Sequence, residues 1–231
     1  MNKIILAIIF VLISIQASTS DNPLKQSIAI LESKYGDMSV EMIKLEENKW
    51  KLSSELVGTG IKREETEYLY LEDNFVKPIE YKFSQRILFL REKNSANFNW
   101  DDYLVNYTKK GKSGSVQLED MVLGPSSAQL QLRLDFRKLD LSNLPKFLKY
   151  KVYWKGAVKE RFFDIQEKPE VINTKMGSYL SYKVSRRYDP GESKSQIFWL
   201  APDLDFSVIQ IFNDDGKRAT EIKIKSLKDI D

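Results

Sequence analysis

The chain has neither cysteine nor histidine among its 231 residues. Without histidine there is no Ser-His-Asp or Cys-His nucleophile system and no general base with an unperturbed pKa near neutrality; without either residue there is no zinc site of the usual ligand type. The lack of cysteine also excludes disulfides and an acylated cysteine that would hold an exported chain on a membrane by lipid. Long apolar runs are scarce. One covers residues 4–13, and no later stretch approaches the roughly 18 consecutive apolar residues of a membrane-crossing helix. A dominant charge sign is missing as well, with 36 Lys and Arg interspersed among 33 Asp and Glu. The concentrated basic stripe of a nucleic-acid binder is not there, and no nucleic-acid partner is expected.

At the N-terminus Lys3 precedes the apolar run, and Ala17, Ser18, Thr19 and Ser20 follow it. This is the layout of a secretory signal. A helix of about ten residues spans roughly 15 Å, half a bilayer's hydrocarbon thickness, and so engages a translocon without anchoring. The expectation is a removable signal over residues 1–20, cleaved after Ser20, then a single β-rich periplasmic domain over residues 21–231 with no stable membrane insertion. A chain of about 200 residues buries roughly 70% of its unfolded surface, enough for one core without covalent staples.

From Ile28 onward the apolar positions recur mainly with a period of two, the signature of half-buried strands. Met38, Val40 and Met42 alternate with Ser39 and Glu41, and Trp50, Leu52 and Leu56 with Lys51, Ser53 and Glu55. Turns are expected at residues 34–37 and 46–49. A further strand covers residues 68–71, followed by a turn at Asp73 and Asn74; the next runs from Ile79 through Phe83, with Leu88 to Leu90 as its extension and Asn94, Ser95 and Asn97 as its end. Lys109 to Gly114 reads as a mobile polar loop. In the last third, four strand-like runs are separated by Asp189-Pro190-Gly191-Glu192, Ala201-Pro202-Asp203 and Asn213-Asp214-Asp215-Gly216. Residues 126–138 carry two conflicting patterns. Leu130, Leu132, Leu134 and Phe136 alternate as in a strand, but Pro125 and Ser126 suit a helix start and Gln, Leu and Arg are helix formers, so a short helix is preferred. The fold expected is mainly β, an antiparallel meander curved into a barrel or half-barrel with that one helix.

Among motifs that could carry chemistry, Asp203 and Asp205 can share a face as a carboxylate pair, whereas the adjacent Asp101 and Asp102 diverge. Asp203 and Asp205, beside Pro202, fit a turn role better. Gly111-Lys112-Ser113 lacks the earlier glycine of a phosphate loop, where the chain has Asn106, and residues 213–216 lack the ligand spacing of a calcium loop. Asn106-Tyr107-Thr108 fits a glycosylation acceptor only formally and reads as strand. No cofactor, metal or catalytic residue is expected.

The aromatic residues are more suggestive. Trp50, Trp100, Trp154 and Trp199, with Tyr81, Phe83, Tyr150, Phe163 and Tyr182, fall mostly within the alternating runs. They serve either to fill a core or to line the concave face of a curved sheet. Trp50, Tyr81, Phe163, Tyr182 and Trp199 are the candidates for contact with a lipid-like or other apolar ligand.

Residues 199–205 read Trp-Leu-Ala-Pro-Asp-Leu-Asp, with Arg186 and Arg187 before them and Val208 after. Together with the Tyr35 hairpin, the Trp50-Lys51-Leu52-Ser53-Ser54 strand followed by Gly58, the Pro78 strand and Asn99-Trp100-Asp101, the run resembles the bacterial envelope family catalogued as domain of unknown function 3108. The similarity extends over most of the mature chain and departs at Ser207, where the family commonly has proline after an aromatic residue. The resemblance implies an exported, β-rich protein without an established activity or ligand. Physically, Trp199, Pro202, Asp203 and Asp205 form a turn that can specify fold alone. Three functions are carried forward in order: a binding or carrier domain for an apolar or amphipathic envelope component, a structural module with an envelope protein partner, and a carboxylate-based carbohydrate-active enzyme.

Overall fold

The computed structural model describes residues 24–230, so the expected signal and its cleavage point lie outside the described residues. Eight strands follow one another as hairpins: β1 (Gln26–Ser33), β2 (Gly36–Lys44), β3 (Lys49–Gly58), β4 (Ile61–Glu72), β5 (Phe75–Ile87), β6 (Leu90–Asn99), β7 (Leu104–Lys109) and β8 (Lys112–Gln117). The short β9 (Val122–Leu123) leads into α1 (Ser127–Phe136), the single α-helix among the described residues. Seven strands complete the chain: β10 (Phe147–Trp154), β11 (Ala157–Ile165), β12 (Glu170–Thr174), β13 (Gly177–Arg186), β14 (Ser195–Ala201), β15 (Ser207–Asp214) and β16 (Ala219–Ile230).

Strand β16 returns to pair antiparallel with β1, which puts both ends of the described chain in the middle of one sheet ordered 8-7-6-5-4-3-2-1-16-15-14-13-11-10-9, with β12 paired to β13 off that path. Every pairing is antiparallel except β9 with β10. The sheet does not close, so the architecture is the half-barrel form of the expectation. Its two ends nevertheless meet through side chains: Tyr81 and Phe83 of β5 and Phe98 of β6 share one buried cluster with Val122 of β9 and Tyr153 of β10.

The turns follow from local chemistry. Asp73 and Asn74, with φ of 47° and 67°, take the left-handed conformation that two-residue hairpins with the strand twist require. The polar stretch 109–114 is the same device. Lys110 and Gly111, at φ 49° and 78°, join β7 directly to β8, which corrects the loop expected there. Asn94, Ser95 and Asn97 do not end a strand; they lie inside β6, opposite Phe83, Lys82 and Glu80. Leu88 and Leu90 do not extend the fifth strand either: Leu88 and Phe89 are the turn itself.

Helix α1 occupies the concavity of the sheet. Leu130 and Leu134 pack with Met42, Trp50, Leu69 and Val152, while Leu132 and Phe136 pack with Phe163, Tyr182, Val184 and Leu200. A residue two positions along a helix lies on nearly the opposite side, so an apolar alternation of period two is what a helix between two walls requires. That explains the strand-like pattern of this segment.

Candidate functional site

The five aromatic candidates are all buried, between 3% and 7% exposed, but the structure does not gather them. Trp50 belongs to the cluster against one side of α1, Tyr81 to the cluster that joins the sheet's two ends, and Phe163 and Tyr182 to the cluster on the other side of α1. Trp199 lies in a fourth cluster with Ile209, Ile224 and Ile172, and its Nε1 donates to Glu170 Oε1 at 2.5 Å. Each ring packs against protein, and the space in which they could have met is filled by the helix.

The turn at residues 199–205 is a clamp on that helix. Pro202–Leu204 form one 3₁₀ turn, after which Asp205 takes a left-handed φ of 53°. Asp205 Oδ2 accepts from Arg133 Nη2 at 2.8 Å, its carbonyl accepts from Arg133 Nε at 2.8 Å, and its Oδ1 pairs with Arg137 Nε at 3.0 Å. Asp203 is exposed. The two carboxylates therefore have different surroundings. Asp101 and Asp102 are exposed, and their N–H groups donate to Asn99 Oδ1 at 3.1 and 3.0 Å, a turn-capping arrangement.

Sequence reasoning missed a polar node at the other end of α1. Glu65 and Glu67 of β4 are buried, 8% and 0% exposed. Glu67 Oε2 accepts the backbone N–H of Ser126 at 2.9 Å, and Glu65 Oε1 accepts from the Ser126 hydroxyl at 2.9 Å while Arg63 Nη2 donates to Glu65 Oε2 at 2.9 Å. A strand thus caps a helix across the core by supplying acceptors at the helix's N-terminal end. Gly124 makes the approach feasible, because a Cβ there would lie 2.3 Å from Glu67 Oε1. Burial pushes the Glu67 carboxyl up to about 7, against the pull of its bonds from Ser127 and Ser126. Glu67 Oε1 and the hydroxyl of Tyr81, its partner in register, are buried without a hydrogen bond. The geometry is that of an anchor for the helix.

The outside of the sheet carries a second missed feature. In the β5–β6 hairpin Ile87, Leu88, Phe89 and Leu90 are 37%, 67%, 97% and 78% exposed. Leu88 takes a left-handed φ of 53°, uncommon for a bulky residue, and its N–H donates to the carbonyl of Gly60 at 2.7 Å, which ties this tip to the β3–β4 turn. Val57, 57% exposed, sits at the end of β3. Alternation alone would have made Ile87 and Leu90 core residues; the run Ile87-Leu88-Phe89-Leu90 between Arg86 and Arg91 was the available signal. Below the tip, on the outer face of β4 to β7, an open groove of about 650 Å³ is lined by Glu64, Thr66, Lys82, Ser84, Lys93 and Thr108 among others.

The architecture defines a β-barrel-like domain: one large antiparallel sheet curled without closing around a single helix. Among solved structures it is similar to a beta-barrel-like protein of a domain of unknown function, DUF1849, from Brucella abortus, at 12% identity and a TM-score of 0.60 over 90% of this chain and 99% of that one. That likeness shows the fold. No family model matches the chain and no curated protein matches it, so the resemblance to family 3108 is not confirmed.

Proposed function

We propose that the chain is an exported, non-enzymatic binding domain for an apolar or amphipathic component of the cell envelope, engaged at the β5–β6 tip on the outside of the sheet. One observation carries the reading: four consecutive apolar side chains stand in water at this tip, Phe89 at 97% exposure, while α1 fills the interior where a carrier would hold cargo. Leaving such a patch exposed is unfavourable for a protein that has nothing to cover it. The periplasm is the compartment this reading assumes.

The test places a photoreactive phenylalanine analogue at position 89 of the chain in its own cell. Adducts with lipid or another amphiphile are the expected result. A single dominant protein adduct would overturn the reading in favour of an envelope-assembly module. Absence of any adduct at position 89 would overturn both.

A further inference from the structure

We propose that the β5–β6 tip docks on an anionic phospholipid bilayer surface, Phe89 and its neighbours entering the acyl boundary and a basic ladder behind them meeting lipid phosphates. The proposal rests on the tip being the engaged site and names what it engages.

The ladder follows from register. Lys62 of β4 lies opposite Arg86 of β5, and Arg86 lies opposite Arg91 of β6. Residues directly opposite in antiparallel strands share a face with Cβ atoms about 5 Å apart, and like charges so placed repel. Lys62 has counterions, Glu64 at 2.8 Å and Glu55 at 3.2 Å. Arg86 and Arg91 are both exposed, and among the described residues neither has an ion pair or a hydrogen-bonded carboxylate. Two juxtaposed guanidinium groups without an anion are an unfavourable arrangement in the free chain. Anionic phosphate oxygens beside the two groups relieve it by supplying the missing counter-charge.

The spacing suits a bilayer. The arginines stand one residue behind Ile87 and Leu90, and at about 3.4 Å per residue this sets their charges a few ångströms behind the apolar tip. Interfacial segments bury their apolar part about 5–10 Å into the boundary between headgroups and acyl chains, with basic groups left at headgroup level. The tip is also unobstructed, because β6 pairs with β7 from Asn94 onward, the Lys110 N–H of the β7–β8 turn donates to the Lys93 carbonyl at 3.3 Å, and residues 90–92 project past that turn. A row further back on the same outer face, Lys93 lies opposite Ser84. A flat anionic surface fits a ridge of charge two strands wide better than a closed protein groove fits a tip with charge on one face.

Vesicle co-sedimentation of the exported chain tests the proposal, with vesicles of phosphatidylcholine alone and with half replaced by phosphatidylglycerol. The expected result is salt-sensitive binding to the anionic vesicles, weakened about thirtyfold by Arg86→Ser with Arg91→Ser and about tenfold or more by Phe89→Ser. Arg86→Lys with Arg91→Lys should restore most of it, since charge is kept. All these positions are exposed, and an unchanged near-ultraviolet circular dichroism spectrum verifies the fold of each variant. Equal binding to both vesicle types, indifferent to the arginines but lost in Phe89→Ser, would overturn the anionic surface and leave amphiphile binding standing. No vesicle binding together with a protein adduct at position 89 would overturn the docking proposal in favour of a protein partner. Neither vesicle binding nor any adduct would sink this proposal and the function it rests on.

Discussion

Glu67 shows how far a single residue can depart from what its neighbours in sequence suggest. In Arg63-Glu64-Glu65-Thr66-Glu67 the acidic residues look like a solvated strand, yet Glu65 and Glu67 point inward and cap a helix whose first residues lie about sixty positions later. Nothing local marks them, because what makes burial tolerable is the N–H of Ser126, supplied from far along the chain. The pH dependence follows. Burial raises Glu67 from 4.5 to about 7, so in that window the folded chain holds a proton that the unfolded chain has released. The contribution to stability is full below pH 4.5 and is lost as pH rises through about 7. Glu65, Ser126 and Ser127 face the group; Glu65 adds to the rise, and the serine bonds oppose it. Glu67→Gln keeps an acceptor for Ser126 but does not titrate. Relative to the natural protein, it should therefore gain about 2–3 kcal/mol between pH 5 and pH 8. Urea unfolding at the two pH values measures the difference, and an equal difference at both would show that Glu67 does not hold the proton.

At the level of elements, α1 is the part whose pattern was least easily read. Each of its last four pairs at i and i+4 spacing has its own partner. Leu130 and Leu134 face one wall of the sheet, Leu132 and Phe136 the other. Gln131 accepts from the Val76 N–H at 2.9 Å and donates to Asp135, which in turn accepts from the Tyr150 hydroxyl at 2.6 Å; Arg133 and Arg137 take Asp205. A helix used on every side has no polar face, so amphipathic period was absent and only its start and its helix-forming residues were legible. The strands were legible because one face is wet, as in β16, where buried Ile224 sits between half-exposed and exposed neighbours. The resemblance-bearing turn was visible as a turn, but not as a clamp, since its partner Arg133 lies 72 residues back in sequence. Asp205→Asn should be severe. It removes the counter-charge from two arginines whose side chains are only 15% and 8% exposed, at a cost of about 3–5 kcal/mol, while asparagine still tolerates the left-handed backbone. Asp203→Asn, at an exposed position, should stay within about 0.5 kcal/mol. Chemical denaturation of the two variants tests the contrast, and equal effects would remove the clamp. A carbohydrate-cleaving activity that fell in both variants without loss of stability would instead revive the carboxylate enzyme.

For the molecule as a whole, the mainly β composition and the single helix were readable from period and punctuation, but the closure of the chain on itself was not. The pairing of β1 with β16 joins residues about two hundred positions apart, such as Gln26 with Ile230, and no local pattern encodes it. This pairing divides the sheet into an N-terminal wing of β2 to β8 and a C-terminal wing of β15 to β9. Were the β1–β16 seam the only link, the wings could melt apart. The cluster where the sheet's ends meet is a second link, and helix α1 is a third, with Leu134 seated on the wing of Trp50 and Leu132 at 1% exposure among Phe198 and Leu200 of the other. The natural chain is therefore expected to unfold in one step. Variants that keep only Trp50 or only Trp199 as the fluorescent residue report one wing each, and their urea midpoints should coincide. Leu132→Ala with Leu134→Ala opens a cavity on both sides of the helix and costs about 2–5 kcal/mol per site, so in that background the two midpoints should separate. Separate midpoints in the natural chain would show that nothing couples the wings into one unit, and coincident ones after the double substitution would show that the β1–β16 seam and the cluster of Tyr81, Phe98 and Tyr153 suffice while the helix merely fills space.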